Sequence, residues 1–243
     1  MIAQPSFERC KAFIDCQLQG PGKSLALARS SERWRAVTIS RQTGSGAHAV
    51  GEELAEYLQA HSPKNTPPWT LFDRNLVEKV LQDHNLPERM ARFLAEDRIS
   101  ELQDTMDELF GLHPPSWTLV RQTTETILKL VELGRVIIIG RGGGIITRNL
   151  DYVFHVRLVG SLERRLEHVQ EHYKMEKKAA EEFIQQEDRG RRRYLRKYFA
   201  LEIDDPLLYH AVINTDLVPY RLAARMIGDA LLSSGGAPAG AKA

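Results

Sequence analysis

The sequence predicts a three-layer α/β domain in which helices cover both faces of a parallel sheet. Three observations predict it. Short β-branched runs at 36–40, 69–72, 136–139, 154–158 and 211–213 alternate with stretches whose apolar residues recur at helical spacing. That alternation calls for right-handed crossovers, which join parallel strands. Clusters of Gly, Arg, Asp or Asn directly follow the runs, at the edge of the sheet where ligands of such folds bind.

Taken in order, residues 1–35 form an extension. Phe7, Cys10, Phe13 or Ile14, and Gln17 or Leu18 have roughly helical spacing, ended by Gly20, Pro21 and Gly22. Gly22-Lys23-Ser24 looks like the end of a phosphate loop, but Gln17 stands where the first glycine is needed, so the segment reads as a linker. The first strand, 36–40, leads through Arg41, Gln42, Thr43, Gly44, Ser45 and Gly46 into a helix over 47–58, with Val50, Leu54 and Leu58 on one face. Pro63, Pro67 and Pro68 break the chain before a second strand, 69–72, that ends at Asp73 and Arg74.

Residues 75–112 read as largely helical, and a helix over 116–133 stops at Gly134. The strand 136–139 ends in Gly140-Arg141-Gly142-Gly143-Gly144. After the strand 154–158, Ser161 opens a long basic helical stretch. The last strand, 211–213, ends at Asn214-Thr215-Asp216, and a helix over 220–232 closes the domain. The predicted organisation is an extension (1–35), one domain (36–232) with a helical insertion at 75–133 and an arginine-rich segment at 174–200, and a Ser/Gly/Ala/Pro tail (233–243) expected to lack fixed structure.

Composition excludes several classes. With 42% hydrophobic and 27% charged residues, the chain falls outside the disordered and membrane classes. A formal charge of +1 gives no molecule-wide attraction to nucleic acid. No apolar run approaches the ~20 residues that span a bilayer, and the first residues lack a secretory pattern, so a cytoplasmic protein without membrane or nucleic-acid partners is expected. Cys10 and Cys16 predict reduced thiols, and the eight histidines show no ligand-spaced pair, so no zinc site is expected.

Between a strand and a helix, Gly44-Ser45-Gly46 would aim successive main-chain amides and the helix's positive end at one spot, which suits a phosphate; a purely structural turn would also favour glycine. Gly44 to Ala49 also satisfy the dinucleotide pattern G-x-G-x-x-G/A. That reading wants an acid ~20 residues on, at the end of the second strand. Here Asp73 comes after a Pro-rich break and precedes Arg74, a pair better suited to a phosphate-bearing acceptor.

Ser40-Arg41-Gln42-x-Gly44-Ser45-Gly46, Phe72-Asp73-Arg74, Gly140-Arg141-Gly142-Gly143, Asp188-x-x-Arg191-x-Arg193-Tyr194 and Ile213-Asn214-Thr215-Asp216 occur in that order. In this the chain, over about residues 36–232, resembles the cytidylate kinase-like family. The resemblance implies a P-loop NTPase fold and ATP-dependent phosphoryl transfer to a nucleoside monophosphate, with CMP or dCMP as acceptor and Mg²⁺ accompanying ATP. It implies that Gly44, Ser45, Gly46, Ala47 and His48, with Arg189 and Arg193, hold ATP. Asp73, Arg74, Arg141 and Arg191 would bind the acceptor, Arg41, Arg141, Asp188 and Arg191 would carry catalysis, and the segment 174–200 would act as a lid. Arg165 would touch the adenine or the lid, or pair with Glu163. Asn214, Thr215 and Asp216 would wall the adenine or cap the last strand.

The loop departs from G-x-x-x-x-G-K-[ST], with Arg41 for the first glycine and Ala47-His48 for Lys and Ser/Thr. Arg41 is the residue expected to supply the missing positive charge, and Ser45 or Asp73, with water, to hold Mg²⁺. Two rivals remain at this stage: a binding module that keeps the cradle without chemistry, and a dinucleotide-dependent oxidoreductase. Acceptor base, sugar and oligomeric state are not legible.

Overall fold

A computed structural model of the chain describes residues 12–14, 34–64, 66–73, 80, 118–140 and 142–233. The helices expected within 75–112, residues Arg74 and Arg141, both cysteines and the tail from 234 lie outside the described residues.

The elements run β1 (Ala36–Arg41), α1 (Ala47–Ala60), β2 (Thr70–Phe72), α2 (Thr118–Leu133), β3 (Val136–Ile139), α3 (Gly143–Ile146), β4 (Val153–Val159), α4 (Leu162–Tyr173), α5 (Lys177–Phe199), a 3₁₀ turn (Pro206–Leu208), β5 (Ala211–Asn214) and α6 (Tyr220–Ser233). The five strands form one sheet in the order β2-β3-β1-β4-β5, and every pairing is parallel. The fold is therefore the α/β class expected, and β1 is central. The connection from β1 runs to β2 on one side of the sheet, whereas that from β3 crosses β1 to β4 on the other, so a crevice opens at the carboxyl ends of β1 and β3.

Side-chain alternation along the strands divides the core in two. Val37, Ile39, Ile137, Ile139, Val156 and Leu158 face α1 and α6. Ala36, Val136, Ile138 and Val153 face α2, where Phe13 and Ile14 of the extension are also buried. Helix α1 buries Val50, Leu54 and Leu58, the stripe expected from their spacing, and α6 buries Ala223, Ala224, Ile227 and Leu231. Two differences from expectation stand out. The basic stretch after Ser161 is two helices, because Lys174 takes a left-handed conformation (φ 55°) that stops α4. After β3, where no helix was expected, Gly143 to Ile146 form a single helical turn, α3.

That turn lies close on the sheet. A Cβ at Gly143 would stand 3.4 Å from Ile138, and one at Gly144 would stand 3.2 Å from Thr38 Oγ1. Beneath them His155 of β4 is 4% exposed, with Nδ1 2.8 Å from Thr38 Oγ1. Burial first, and then the neighbouring His210, push its pKa down to about 4.

Because the folded pKa lies below the ordinary value near 6.5, the unfolded chain binds the extra proton first as pH falls. The contribution of His155 is complete above pH 6.5 and is lost progressively as pH falls towards 4. We expect this histidine to cost on the order of 2–3 kcal/mol over that interval. Urea midpoints of wild type and His155→Gln, compared at pH 7.5 and about 4.5, check it: the gap between the two proteins should shift in the variant's favour at the lower pH.

Candidate functional site

The loop after β1 is held from below. Gln42 N–H extends the ladder to Leu158 O (3.0 Å), and its Oε1 accepts from Gly160 N–H (3.0 Å). The Ser45 hydroxyl donates to Gln42 O (2.9 Å), so it points under the loop rather than out of it. Gly44 and Gly46 have φ of 86° and 77°, a region that L side chains rarely adopt. Each also allows a close approach: a Cβ on Gly44 would meet the Arg165 carbonyl at 2.5 Å, and one on Gly46 would enter the Tyr220 ring. Helix α1 starts at Gly46 without a side-chain cap, which leaves the amides of its first turn to an external acceptor.

Above the loop lies α5. Its Asp188 accepts from Thr43 N–H (2.8 Å), Thr43 Oγ1 (2.7 Å) and Arg191 Nη1 (2.9 Å) on one oxygen, and from Arg165 Nη1 (2.7 Å) on the other. Arg165, in the first turn of α4, also donates to Thr43 O (3.2 Å) and Gly160 O (3.1 Å). Arg191 reaches Thr43 Oγ1 (2.5 Å) and Glu187 (3.0 Å). The side chains of Arg165, Asp188 and Arg191 are 10%, 13% and 20% exposed, so these charges interact in a largely desolvated setting.

Beside this network a cavity of ≈ 260 Å³ opens between β1, the turn after β3, and α5. Arg41, Gly142, Gly144, Arg191 and Tyr194 line it, with Ser40 and Tyr209. The Arg41 guanidinium lies directly over Gly140, whose φ of 82° and missing Cβ make room for it. Ser40 accepts from buried Arg157 (2.9 Å), which ion-pairs with Asp204 (2.6 Å), and Tyr209 donates to the Ile203 carbonyl (2.9 Å). One wall carries the guanidiniums of Arg41 and Arg191, with Glu187 paired to the latter, and another is aromatic and apolar, a mixture suited to a ligand that has both a phosphate and a ring.

The residues singled out from sequence divide accordingly. Arg41 and Arg191 meet at the cavity, and Asp188 meets Arg191 over the loop. Asp73, directly after β2, stands 3.8 Å from His48 Nε2 and does not line the cavity. Desolvation lowers the His48 pKa more than Asp73 raises it, with Arg41 and His172 lowering it further, so the imidazole is neutral at pH 7. Arg189 and Arg193 are exposed on the far side of α5, and the former turns back onto Gln185 O (3.2 Å). Asp216 accepts from Ser161 N–H (2.7 Å), and Thr215 Oγ1 donates to Val159 O (3.1 Å); the last strand's end is tied to that of β4. Arg74 and Arg141 lie outside the described residues.

Sequence reasoning did not single out Thr43, Arg157, Glu187 or Tyr209. A charged residue inside an otherwise apolar strand was the available signal for Arg157. For Arg165 the pairing with α5 replaces the Glu163 pair considered earlier.

Among the described residues no side chains form a cage for Mg²⁺. Ser45 turns inward, a neutral imidazole stands where a hydroxyl would hold the metal, and among the described residues no three His, Cys, Asp or Glu side chains form a metal group. Among the described residues no helix is long and apolar enough to cross a membrane.

Comparison with known proteins agrees with this geometry. A solved structure of an uncharacterized protein from Eubacterium ventriosum superposes with a TM-score of 0.62 at 21% identity, covering 82% of this chain and 98% of that one, which shows a shared fold. No curated protein matches. The profile of the cytidylate kinase-like family matches residues 36–217, a span that includes the loop, the cavity and α5; the chain belongs to the cytidylate kinase-like family.

Proposed function

We propose that the protein transfers the terminal phosphoryl group of ATP to a nucleoside monophosphate, with CMP or dCMP as acceptor. The observation that carries this is the convergence of Arg41 and Arg191 on one cavity beside an uncapped helix start. In the reaction, an acceptor phosphate oxygen attacks the γ-phosphorus, the bond to the β-phosphate oxygen breaks, and ADP leaves. Charge spreads over the transferring oxygens, so positioning and cationic stabilisation supply most of the rate.

Gly44, Ser45, Gly46, Ala47 and His48 would hold the ATP phosphates through main-chain amides. The cavity would take the acceptor, its phosphate towards Arg41 and Arg191 and its base towards Tyr194 and Tyr209. In this reading Arg74 and Arg141 would also contact the acceptor, and Asp73 would do so from its place beside His48. Two planar guanidiniums can each grip two oxygens, which a lysine cannot do. Arg189 and Arg193 would have to cross the helix to reach ATP, so the reading rests on the inward pair.

A second reading has its own support. Ala47 and His48 replace the Lys and Ser/Thr of a working loop, and Ala47 packs in the apolar cluster under α1. A chain that binds nucleotide without turnover would fit these replacements. Measurement of ADP release with CMP, dCMP, UMP and AMP decides: turnover with a cytidine nucleotide is expected, whereas ATP and CMP binding without ADP release supports the binding module.

Arg41→Ala should lower kcat/KM for the acceptor on the order of a hundredfold, the scale of losing one transition-state charge contact. Gly140→Ala should reproduce much of that loss, because the new Cβ occupies the place of the guanidinium. Unchanged kinetics in both variants would remove Arg41 from the mechanism.

A further inference from the structure

The carboxylate of Asp188 sits where the loop would be expected to hold an anion. A main-chain amide at a glycine turn, a hydroxyl and two guanidiniums converge on it, the same donor set that binds phosphate oxygens. Its two oxygens are shared as two phosphate oxygens would be: Thr43 and Arg191 hold one, and Arg165 holds the other. This contact is made in the middle of α5, at a distance from both of the helix's apolar anchors. Ala180 and Ile184 pack on α4 towards one end, and Leu195 packs with Ile145 and Ile203 towards the other. Residues 185–193 between them are Gln, Glu, Asp, Arg and Gly, and the buried contact they make with the loop is the charge network. Gly190 lies within this span, and a Cβ there would meet nothing within 4 Å. A glycine in a helix interior costs about 1 kcal/mol relative to alanine and is a place where helices bend.

We propose that Asp188 is a tethered stand-in for phosphate: α5 and an incoming polyphosphate compete for the Thr43–Arg165–Arg191 seat, and the polyphosphate must displace the carboxylate before it can bind there. The helix bends at Gly190 while its apolar ends stay docked, so displacement breaks ionic contacts and leaves the core intact. The two arginines then pass from the carboxylate to the ligand. Their charge is never left unpaired, which keeps the exchange from incurring the full cost of breaking a buried pair. This inference rests on the reading of the loop as a polyphosphate seat, and its test separates the two.

Inorganic tripolyphosphate, without Mg²⁺, serves as the probe, and calorimetry compares wild type with Asp188→Asn. Asparagine keeps the shape and a hydrogen-bond acceptor but removes the competing charge, so tripolyphosphate should bind about tenfold more tightly to the variant. In wild type, amide hydrogen exchange over residues 185–193 should rise when tripolyphosphate is added, because the middle of α5 loses its contact with the loop. Equal or weaker binding to Asp188→Asn, with measurable binding to wild type, overturns the stand-in and leaves the polyphosphate seat in place. Exchange that falls or stays constant in wild type overturns it as well, and this readout decides alone if the variant does not fold. Binding to neither protein overturns both the stand-in and the seat.

Discussion

Everything at the carboxyl edge of the sheet depends on how the main-chain amides after β1 are satisfied. Thr43 N–H is partly buried and finds its acceptor in a side chain 145 residues further along the chain. An orphaned amide in that position would cost about as much as the desolvation of a peptide group, so the loop and α5 constrain one another. Arg165 doubles the constraint, since its guanidinium bonds the Thr43 carbonyl as well as Asp188. The strand that organises the fold therefore ends in a charge network rather than in free solvent.

Such a network is a weak source of stability. Taking Arg165, Asp188 and Arg191 out of water costs several kcal/mol per ion, and their mutual attraction does little more than offset it. What the arrangement provides instead is geometry. With each oxygen and guanidinium committed to a partner, the three elements β1, α4 and α5 share one register. The apolar contacts that hold α5 lie away from this point, so its middle can respond to charge while its ends respond to burial.

The sheet was legible because strand and helix patterns depend on neighbours in sequence. All five runs became strands, within one or two residues of the expected bounds, and the stripe Val50, Leu54 and Leu58 faces the core as its spacing required. The loop was legible too, since Gly44 and Gly46 adopt the left-handed backbone for which glycine is suited. The partners across the loop were less so. That Arg165 meets Asp188, or that Arg191 points inward while Arg189 and Arg193 point out, follows from the rotation of α5 about its axis. An arginine cluster read as composition gives no phase, whereas 100° per residue places 188, 191 and 195 on one side and 189 and 193 on the other. Lys174 concealed the break between α4 and α5 for a similar reason: nothing in a lysine announces a positive φ.

The missing lysine can be understood from the same edge of the sheet. At position 47 the backbone starts α1 and the alanine side chain packs into the apolar cluster, while Tyr220 covers Gly46 beside it. A cation in that place would compete with packing. Arg41 stands instead at the end of the central strand, where its guanidinium lies across Gly140 and lines the cavity. A guanidinium is a planar fork rather than a mobile point charge, and the missing Cβ of Gly140 makes room for it. Arg41 and Gly140 are then one unit split between two strands, and neither residue alone accounts for the charge that the cavity presents.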